Sequence, residues 1–69
     1  MKRLPVESSS IVSVGYDAGH SILEIEFEGS RVYQYFDVPA SVYEALLEAE
    51  SIGRFVNEQV KSVFAYTPA

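Results

Sequence analysis

The sequence contains no cysteine and no tryptophan, and only one histidine, His20, among its 69 residues. The lack of cysteine excludes disulfides and thiolate metal sites, and one histidine is too few for a histidine-based metal cluster. We therefore expect neither a metal nor a cofactor. No apolar run reaches the length of a membrane span or of a signal-peptide core, so a cytoplasmic protein that does not enter a membrane is expected.

Positive charge is also scarce. Five Lys and Arg residues stand against ten Asp and Glu residues, which gives a net charge of −5. Binding of nucleic acids or anionic membranes depends on clustered cations that neutralise phosphates, so this balance disfavours non-specific attraction to either. A local basic patch remains compatible with an acidic chain.

Apolar and aromatic side chains are abundant, at 48% and 13% of the residues. A chain of this composition is too apolar to stay disordered, and its length leaves room for one core only. We therefore expect a single domain over residues 1–69. Domains of this size bury little surface, so self-association is a plausible aid to stability.

Three segments alternate apolar and polar residues as half-buried β-strands do: residues 11–16, 22–27 and 32–36. The second is the clearest, because Leu23, Ile25 and Phe27 share one face while Glu24 and Glu26 share the other. Turn residues separate the three segments, which predicts an antiparallel meander whose apolar face is buried.

Two short helices are predicted after the meander. Pro39 interrupts the extended chain, and Ser41 with Glu44 three residues later fits a capping box. The first helix should therefore have Ser41 as its N-cap and continue to Ala49. The second helix is expected over about residues 53–62.

The second helix should turn an apolar stripe inward, formed by Phe55, Val56, Val60 and Val63. On its exposed side, Arg54 and Glu58 have the spacing of an i,i+4 ion pair. Residues 64–66 are predicted to add a short extended C-terminal segment, whereas residues 67–69 are expected to fray and residues 1–9 to be an extended lead-in. Three strands followed by two helices on one sheet face define an α+β fold.

Tyr33 and Tyr35 lie two residues apart in the third strand, so both rings point to the same face of the sheet. If residues 29–30 form a two-residue hairpin loop, Glu28 pairs with Arg31 and both tyrosines stand on the charged outer face. A three-residue loop would shift the register by one and turn both rings inward. We favour the outward arrangement, because it collects the aliphatic residues on one side.

An outward tyrosine pair has three interpretations. The rings can stack on unpaired bases, each stack contributing about 1–3 kcal/mol, although Glu24 and Glu26 beside them would repel phosphates. The rings can form the surface of a homodimer or of a contact with another protein, for which tyrosine is well suited. The pair can also simply cover the sheet, and this plain packing role is the commonest for such residues.

In its order of motifs the chain resembles the KTSC domain, a family named for its occurrence at the C-terminus of some lysyl-tRNA synthetases and also found as small bacterial proteins. The resemblance extends from residue 8 to about residue 66, and these fragments carry it: Ser8-Ser9, Val14-Gly15-Tyr16-Asp17, Leu23-Glu24-Ile25-Glu26-Phe27, Tyr33-Gln34-Tyr35, Val38-Pro39, Ala49-Glu50-Ser51-Ile52-Gly53 and Phe55-Val56-Asn57. Tyr33 and Tyr35 correspond to the Tyr-x-Tyr that is central to the family. From the synthetase context, the resemblance implies RNA binding.

Two departures from the family pattern stand out. Gly29-Ser30 occupies a turn where Asn-Gly is usual, and the C-terminus ends in Thr67-Pro68-Ala69 where relatives carry basic residues. The candidate binding residues combine the aromatic rings with the cations available: Tyr33, Tyr35, Tyr66, Arg31, Arg54 and Lys61. The expected ligand is RNA or another single-stranded nucleic acid, with a protein partner or a second copy as the alternative. The cations alone would more commonly be solvated side chains paired with glutamates.

Catalysis is not expected. His20 and Asp17 share a turn and could exchange a proton, but the sequence places neither a nucleophile nor a second carboxylate beside them. Residues 8–10 are three consecutive serines, whose hydroxyls should cap backbone groups. The chain is therefore interpreted as a binding module.

Overall fold

The structure, a computed structural model, describes all of residues 1–69. Its elements are β1 (Leu4–Pro5), β2 (Ile11–Asp17), β3 (Ile22–Phe27), β4 (Arg31–Tyr35), α1 (Ala40–Glu48), α2 (Ile52–Gln59) and β5 (Tyr66–Pro68). The five strands form one antiparallel sheet in the order β1-β2-β3-β4-β5. The predicted α+β fold, with its meander, two helices and short C-terminal strand, is confirmed. Neither helix has the length and apolar composition that a transmembrane helix requires.

One face of the sheet packs against both helices and closes a core of ten buried apolar side chains. They are Ile11, Val14, Leu23, Ile25, Phe27, Tyr35, Val38, Leu46, Val56 and Val60. Fully burying a large apolar side chain contributes about 1.5–3 kcal/mol, so this cluster is the main source of stability. The alternation seen in β3 therefore assigns the buried face correctly, since Leu23 and Ile25 have no exposed surface.

The β3–β4 hairpin has the alternative register, with a three-residue loop. Phe27 faces Arg31, Ile25 faces Tyr33 and Leu23 faces Tyr35, so three residues, 28–30, form the loop. The loop contains two consecutive positive φ angles, 87° at Gly29 and 61° at Ser30. Both tyrosines therefore lie on the same face as the core residues of β3, and the prediction that they stand on the charged outer face is wrong.

The polar residue between the tyrosines explains this register. In the two-residue loop, Gln34 would point into the core, where an amide without partners is costly. In the observed register Gln34 lies on the outer face, and its Nε2 donates to Glu24 Oε1 at 2.9 Å. Tyr35 is buried in its place, with 3% of its surface exposed. This register therefore stabilises the fold in two ways: an aromatic ring fills the core, and the amide forms a hydrogen bond with a carboxylate.

Helix α1 does not begin at the capping box that the sequence predicts for it. Pro39 is the N-cap of α1, with φ −65° and ψ 150°, and no side chain caps the helix, so the predicted capping box at Ser41 is not formed. The fixed φ of proline sets the chain for a helix that begins at the next residue, two positions too early for Ser41 to act as its N-cap. In α2 the N-cap is Ser51, whose side chain accepts a hydrogen bond from the backbone N–H of Arg54.

The second helix is shorter than predicted, because α2 ends at Gln59 and a turn follows it. Val56 and Val60 are fully buried as expected, but Val63 lies in the turn and is 60% exposed. The predicted ion pair is present, with Arg54 Nε 3.2 Å from Glu58 Oε2.

Both chain ends add an edge strand to the meander. Within the lead-in, β1 pairs with β2, and Gly15 of β2 allows the close approach: a Cβ atom there would lie 2.7 Å from the carbonyl oxygen of Lys2. At the other edge, β5 pairs with β4, and the backbone N–H of Ala69 donates to the carbonyl of Val32 at 2.9 Å. The prediction that residues 67–69 fray is therefore wrong.

Candidate functional site

A pocket of about 260 Å³ opens where β3, β4 and β5 meet the turn after α2. Six residues line it: Phe27, Arg31, Tyr33, Tyr35, Lys61 and Tyr66. We call it the aromatic pocket. The three-residue hairpin loop creates it, because the register places Phe27 opposite Arg31 and next to Tyr33, and β5 brings Tyr66 opposite Tyr35.

The aromatic rings of the pocket contact one another in a continuous chain. Tyr33 makes edge-to-face contacts with Phe27 and with Tyr66, with ring centroids 5.7 Å and 5.6 Å apart. Tyr35 and Tyr66 are tilted by 39° at a centroid distance of 5.6 Å. Such geometries are favoured by the ring quadrupoles, so each ring fixes the orientation of its neighbour. The pocket wall is therefore formed in advance of any ligand.

Exposure increases from the floor of the pocket to its opening. Tyr35 is buried, Tyr33 is half-buried, and Tyr66 is 58% exposed. Burial raises the pKa of Tyr35, and the neighbouring Tyr66 and Tyr33 raise it further. The Tyr35 hydroxyl, whose pKa is raised from an already high ordinary value of 10.0, stays protonated and retains a proton to donate.

The two cations at the opening are free of carboxylates. None of the four ion pairs in the structure involves Arg31 or Lys61. The Lys61 ammonium instead stands 4.8 Å from the centroid of the Phe27 ring, a cation–π contact. The aromatic pocket therefore combines stacking surface with positive charge that no internal partner neutralises.

The structure brings together five of the six predicted binding residues. The sixth, Arg54, lies on α2, is paired with Glu58 and lines a separate polar cleft, so it does not belong to the pocket. Phe27 was missing from the prediction, because its alternation with Glu24 and Glu26 assigned it to the core. Its second role as a pocket wall depends on the hairpin register and on Lys61, which is 34 positions away in the printed sequence.

The opposite face of β3 and β4 carries a set of hydrogen-bonded polar side chains that we call the outer network: Arg3, Ser13, Glu24, Glu26 and Gln34. Arg3 forms an ion pair with Glu24, and its Nη2 lies 3.7 Å from Glu26. Ser13 accepts from Arg3 Nε at 3.0 Å and donates to Glu26 at 2.9 Å. The carboxylates expected to flank the tyrosines therefore lie on the other side of the sheet, where they cannot repel a ligand of the pocket at short range.

Glu24 is the most enclosed charge of the outer network, with 8% of its surface exposed. The hydrogen bond from Gln34 lowers the pKa of Glu24 most, and the Arg3 guanidinium lowers it further, against the raising effect of burial. The carboxylate is therefore charged and fully engaged at neutral pH. Glu24 is therefore one partner of a structural ion pair with Arg3.

The remaining candidate residues, His20, Asp17 and Ser8, make local hydrogen bonds of the kind that support turns and backbone. His20 Nδ1 lies 2.9 Å from Asp17 Oδ2 in the β2–β3 turn, where the His20 side chain is 76% exposed. This hydrogen bond lowers the pKa of Asp17. The Ser8 hydroxyl accepts from the backbone N–H groups of Ser10 and Ile11, as expected of a capping serine. No group of three or more His, Cys, Asp or Glu residues is placed to hold a metal ion.

The sequence is similar to small bacterial proteins over most of its length. The family model described as the KTSC domain matches residues 7–64. A protein of Tsukamurella paurometabola is 52% identical over 60 residues, which cover 87% of this chain and 90% of that protein. An uncharacterized protein of Stutzerimonas stutzeri is 49% identical over 61 residues, covering 88% of this chain and 86% of that protein.

Two further similarities concern a larger protein and a solved structure. A lysine–tRNA ligase of Nostoc punctiforme is 40% identical over 63 residues, which are 91% of this chain and only 11% of the ligase. The crystal structure of a KTSC domain protein from Yersinia pestis matches this fold with a TM-score of 0.95 and 38% identity, over 99% of this chain and 96% of that one.

Proposed function

The chain belongs to the KTSC domain family, and from this premise we propose that its aromatic pocket binds RNA or another single-stranded nucleic acid without catalysing a reaction. The observation that carries the proposal is the joint placement of four aromatic rings and two unpaired cations around one opening. Unpaired bases offer π faces for the rings, and the adjoining phosphates offer negative charge for the cations.

The distribution of charge supports this ligand despite the net charge of −5. Arg3 and Arg54 are neutralised by glutamates, whereas Arg31 and Lys61 are not, and both line the aromatic pocket. The pocket itself contains no carboxylate. A phosphate approaching the opening thus meets a positive site on an otherwise acidic protein, which favours selective over indiscriminate attraction.

The relatives support the same class of ligand by analogy. A region similar to nearly the whole chain forms part of lysine–tRNA ligases. For this chain the analogy raises the expectation of an RNA ligand, and its weight is that of context alone. The pocket geometry carries the proposal independently of it.

The test is a fluorescence titration of labelled single-stranded RNA at low and moderate salt. We expect Arg31→Gln to weaken binding and to reduce its salt dependence by about 0.7 in log–log slope, the share of one phosphate contact on a single strand. The matched control is Arg54→Gln, which removes an exposed arginine that is outside the pocket and should leave binding unchanged. Absence of binding by the wild type at low salt would refute the proposal, because electrostatic contacts are strongest there.

A protein partner or a second copy of the chain is the second candidate. The observation that favours it is the exposure of apolar surface in the C-terminal segment, 60% at Val63 and 58% at Tyr66. Sedimentation of the wild type and of Tyr66→Ala at high concentration tests self-association. A dimer that Tyr66→Ala dissociates would support this candidate, and a wild-type monomer throughout would remove the homodimer.

A further inference from the structure

We infer that the aromatic pocket receives a single unpaired nucleotide, and that Lys61 moves from the Phe27 ring to the phosphate of that nucleotide as the base enters. The inference rests on the proposed function and specifies its ligand. It divides the pocket into a base site and a phosphate site that are linked by one mobile side chain.

The size of the pocket sets the number of nucleotides. Its volume of about 260 Å³ lies just below the roughly 300–1,000 Å³ of pockets that enclose drug-sized ligands. One base fills such a space. A longer strand would need further stacking surface beside it, as in proteins that track several bases along a sheet.

The rest of the sheet offers no such surface. One face is covered by the helices, and the other carries the outer network, whose Glu24 and Glu26 are negatively charged and already bonded to Arg3. The edge beside Tyr35 is occupied by β5. A bound strand can therefore place one nucleotide in the aromatic pocket while its neighbours remain in solvent.

Lys61 connects the two parts of the pocket. Phe27 is only 7% exposed, and the Lys61 ammonium stands over its ring at 4.8 Å. A base that stacks there must displace the ammonium, which then gives up its cation–π contact with the ring. A phosphate on the same nucleotide replaces that contact with a charge-assisted hydrogen bond, which is the stronger interaction. A nucleoside without phosphate offers no such replacement.

The experiment is a competition against a labelled eight-nucleotide uridine strand, with uridine, uridine 5′-monophosphate and 5′-phosphorylated strands of two, four and eight uridines as competitors. We expect the monophosphate to compete, and uridine to compete at least about 5-fold more weakly because it lacks the phosphate that Lys61 would bind. The affinity of the phosphorylated strands should stop rising beyond two nucleotides, because only one nucleotide enters the pocket. Affinity that grows with every added nucleotide would overturn the single-nucleotide site.

We call the movement of Lys61 from the Phe27 ring to the phosphate the exchange. It is tested with Lys61→Gln and, as a matched control, with Lys2→Gln, which changes the other lysine of the chain. We expect Lys61→Gln to weaken the monophosphate several-fold while uridine binds as well as or better than before, because the ring is uncovered; Lys2→Gln should change neither. Equal weakening of both ligands would overturn the exchange. Failure of the proposed function has a different signature, since the labelled strand itself would then not bind to any variant at low salt.

A spectroscopic readout follows the side chain directly. In the free protein the ring current of Phe27 should shift the Lys61 Cε protons upfield, because the ammonium lies over the ring. Adding uridine 5′-monophosphate should return these protons towards their unshifted position. Protons that stay shifted at saturation would show that Lys61 remains on the ring and would overturn the exchange.

Discussion

The two faces of the β3–β4 hairpin contrast in how far their chemistry is satisfied. On the outer face, Arg3, Glu24 and Gln34 bond to one another and leave no charge without a partner. On the inner face, the part beyond the helices forms the aromatic pocket, where Arg31 and Lys61 lack carboxylates. A saturated set of polar groups contributes to stability, whereas unsatisfied groups beside exposed rings are available to a ligand. This difference is the reason we propose the inner face as the binding face.

The largest expected effect is at the pocket floor. Tyr35→Ala removes a ring that is 3% exposed and packs in the core, so we expect a loss of about 3–5 kcal/mol in the free energy of unfolding, enough to unfold much of a domain this small. Tyr35→Phe keeps the ring and should cost about 1 kcal/mol or less. Urea denaturation followed by circular dichroism measures both. A mild effect of Tyr35→Ala would show that the pocket floor is not part of the core.

The next largest effect on the free energy of unfolding is expected at the ion pair of the outer face. Arg3→Met leaves the enclosed Glu24 carboxylate without its cation, and we expect a loss of about 1–3 kcal/mol in the free energy of unfolding, with nucleic-acid binding unchanged. Combining it with Glu24→Gln, which removes the orphaned charge, should recover part of the loss. If Arg3→Met impaired binding as much as stability, the assignment of stability to the outer face and of binding to the inner face would be wrong.

Acid titration tests the same face without disturbing the pocket. The pKa of Glu24 lies below its ordinary value of 4.5 in the folded protein, so the unfolded chain takes up the proton first as pH falls. The stability that Glu24 contributes is therefore complete above about pH 4.5 and is lost as pH decreases through the lowered pKa of the folded state. In Glu24→Gln the free energy of unfolding should depend less steeply on pH in that range. An identical slope would show that another carboxylate dominates.

The smallest effect on stability is expected at the pocket opening. Tyr66→Ala removes a cross-strand contact with Tyr35 from a ring that is 58% exposed, which should cost only about 0.2–1 kcal/mol in the free energy of unfolding. Nucleic-acid binding should nevertheless weaken by about 5-fold to about 150-fold, the equivalent of one base stack of about 1–3 kcal/mol. Val63→Ala, another exposed apolar residue outside the pocket lining, is the control. Equal effects of the two variants on binding would remove Tyr66 from the site.

The elements that were predicted correctly depend on local patterns. The alternation of Leu23, Ile25 and Phe27 with glutamates identified a strand and its buried face, because the period of two is a property of the extended chain itself. The i,i+4 spacing likewise identified the pair of Arg54 and Glu58. The KTSC resemblance identified the family for the same reason, since its fragments are contiguous in the chain.

The elements that were predicted wrongly depend on competition between distant groups. A single residue in the hairpin loop decides whether Gln34 or the tyrosines enter the core, and the outcome depends on Glu24, which receives the amide on the outer face. Similarly, the sequence of residues 67–69 predicts a frayed tail, because it contains a proline and lacks the alternation of a strand. The free edge of β4 nevertheless pairs with this segment.

The sequence by itself determined the α+β class, the single core and the inventory of aromatic and cationic residues, because composition and periodicity are encoded residue by residue. Only the tertiary structure decided that Tyr33, Tyr35 and Tyr66 form a pocket with Phe27 and Lys61, and that the carboxylates lie on the opposite face. The physical reason is that a β-sheet changes the face of every side chain when its register shifts by one residue, and burial of the whole core selects the register.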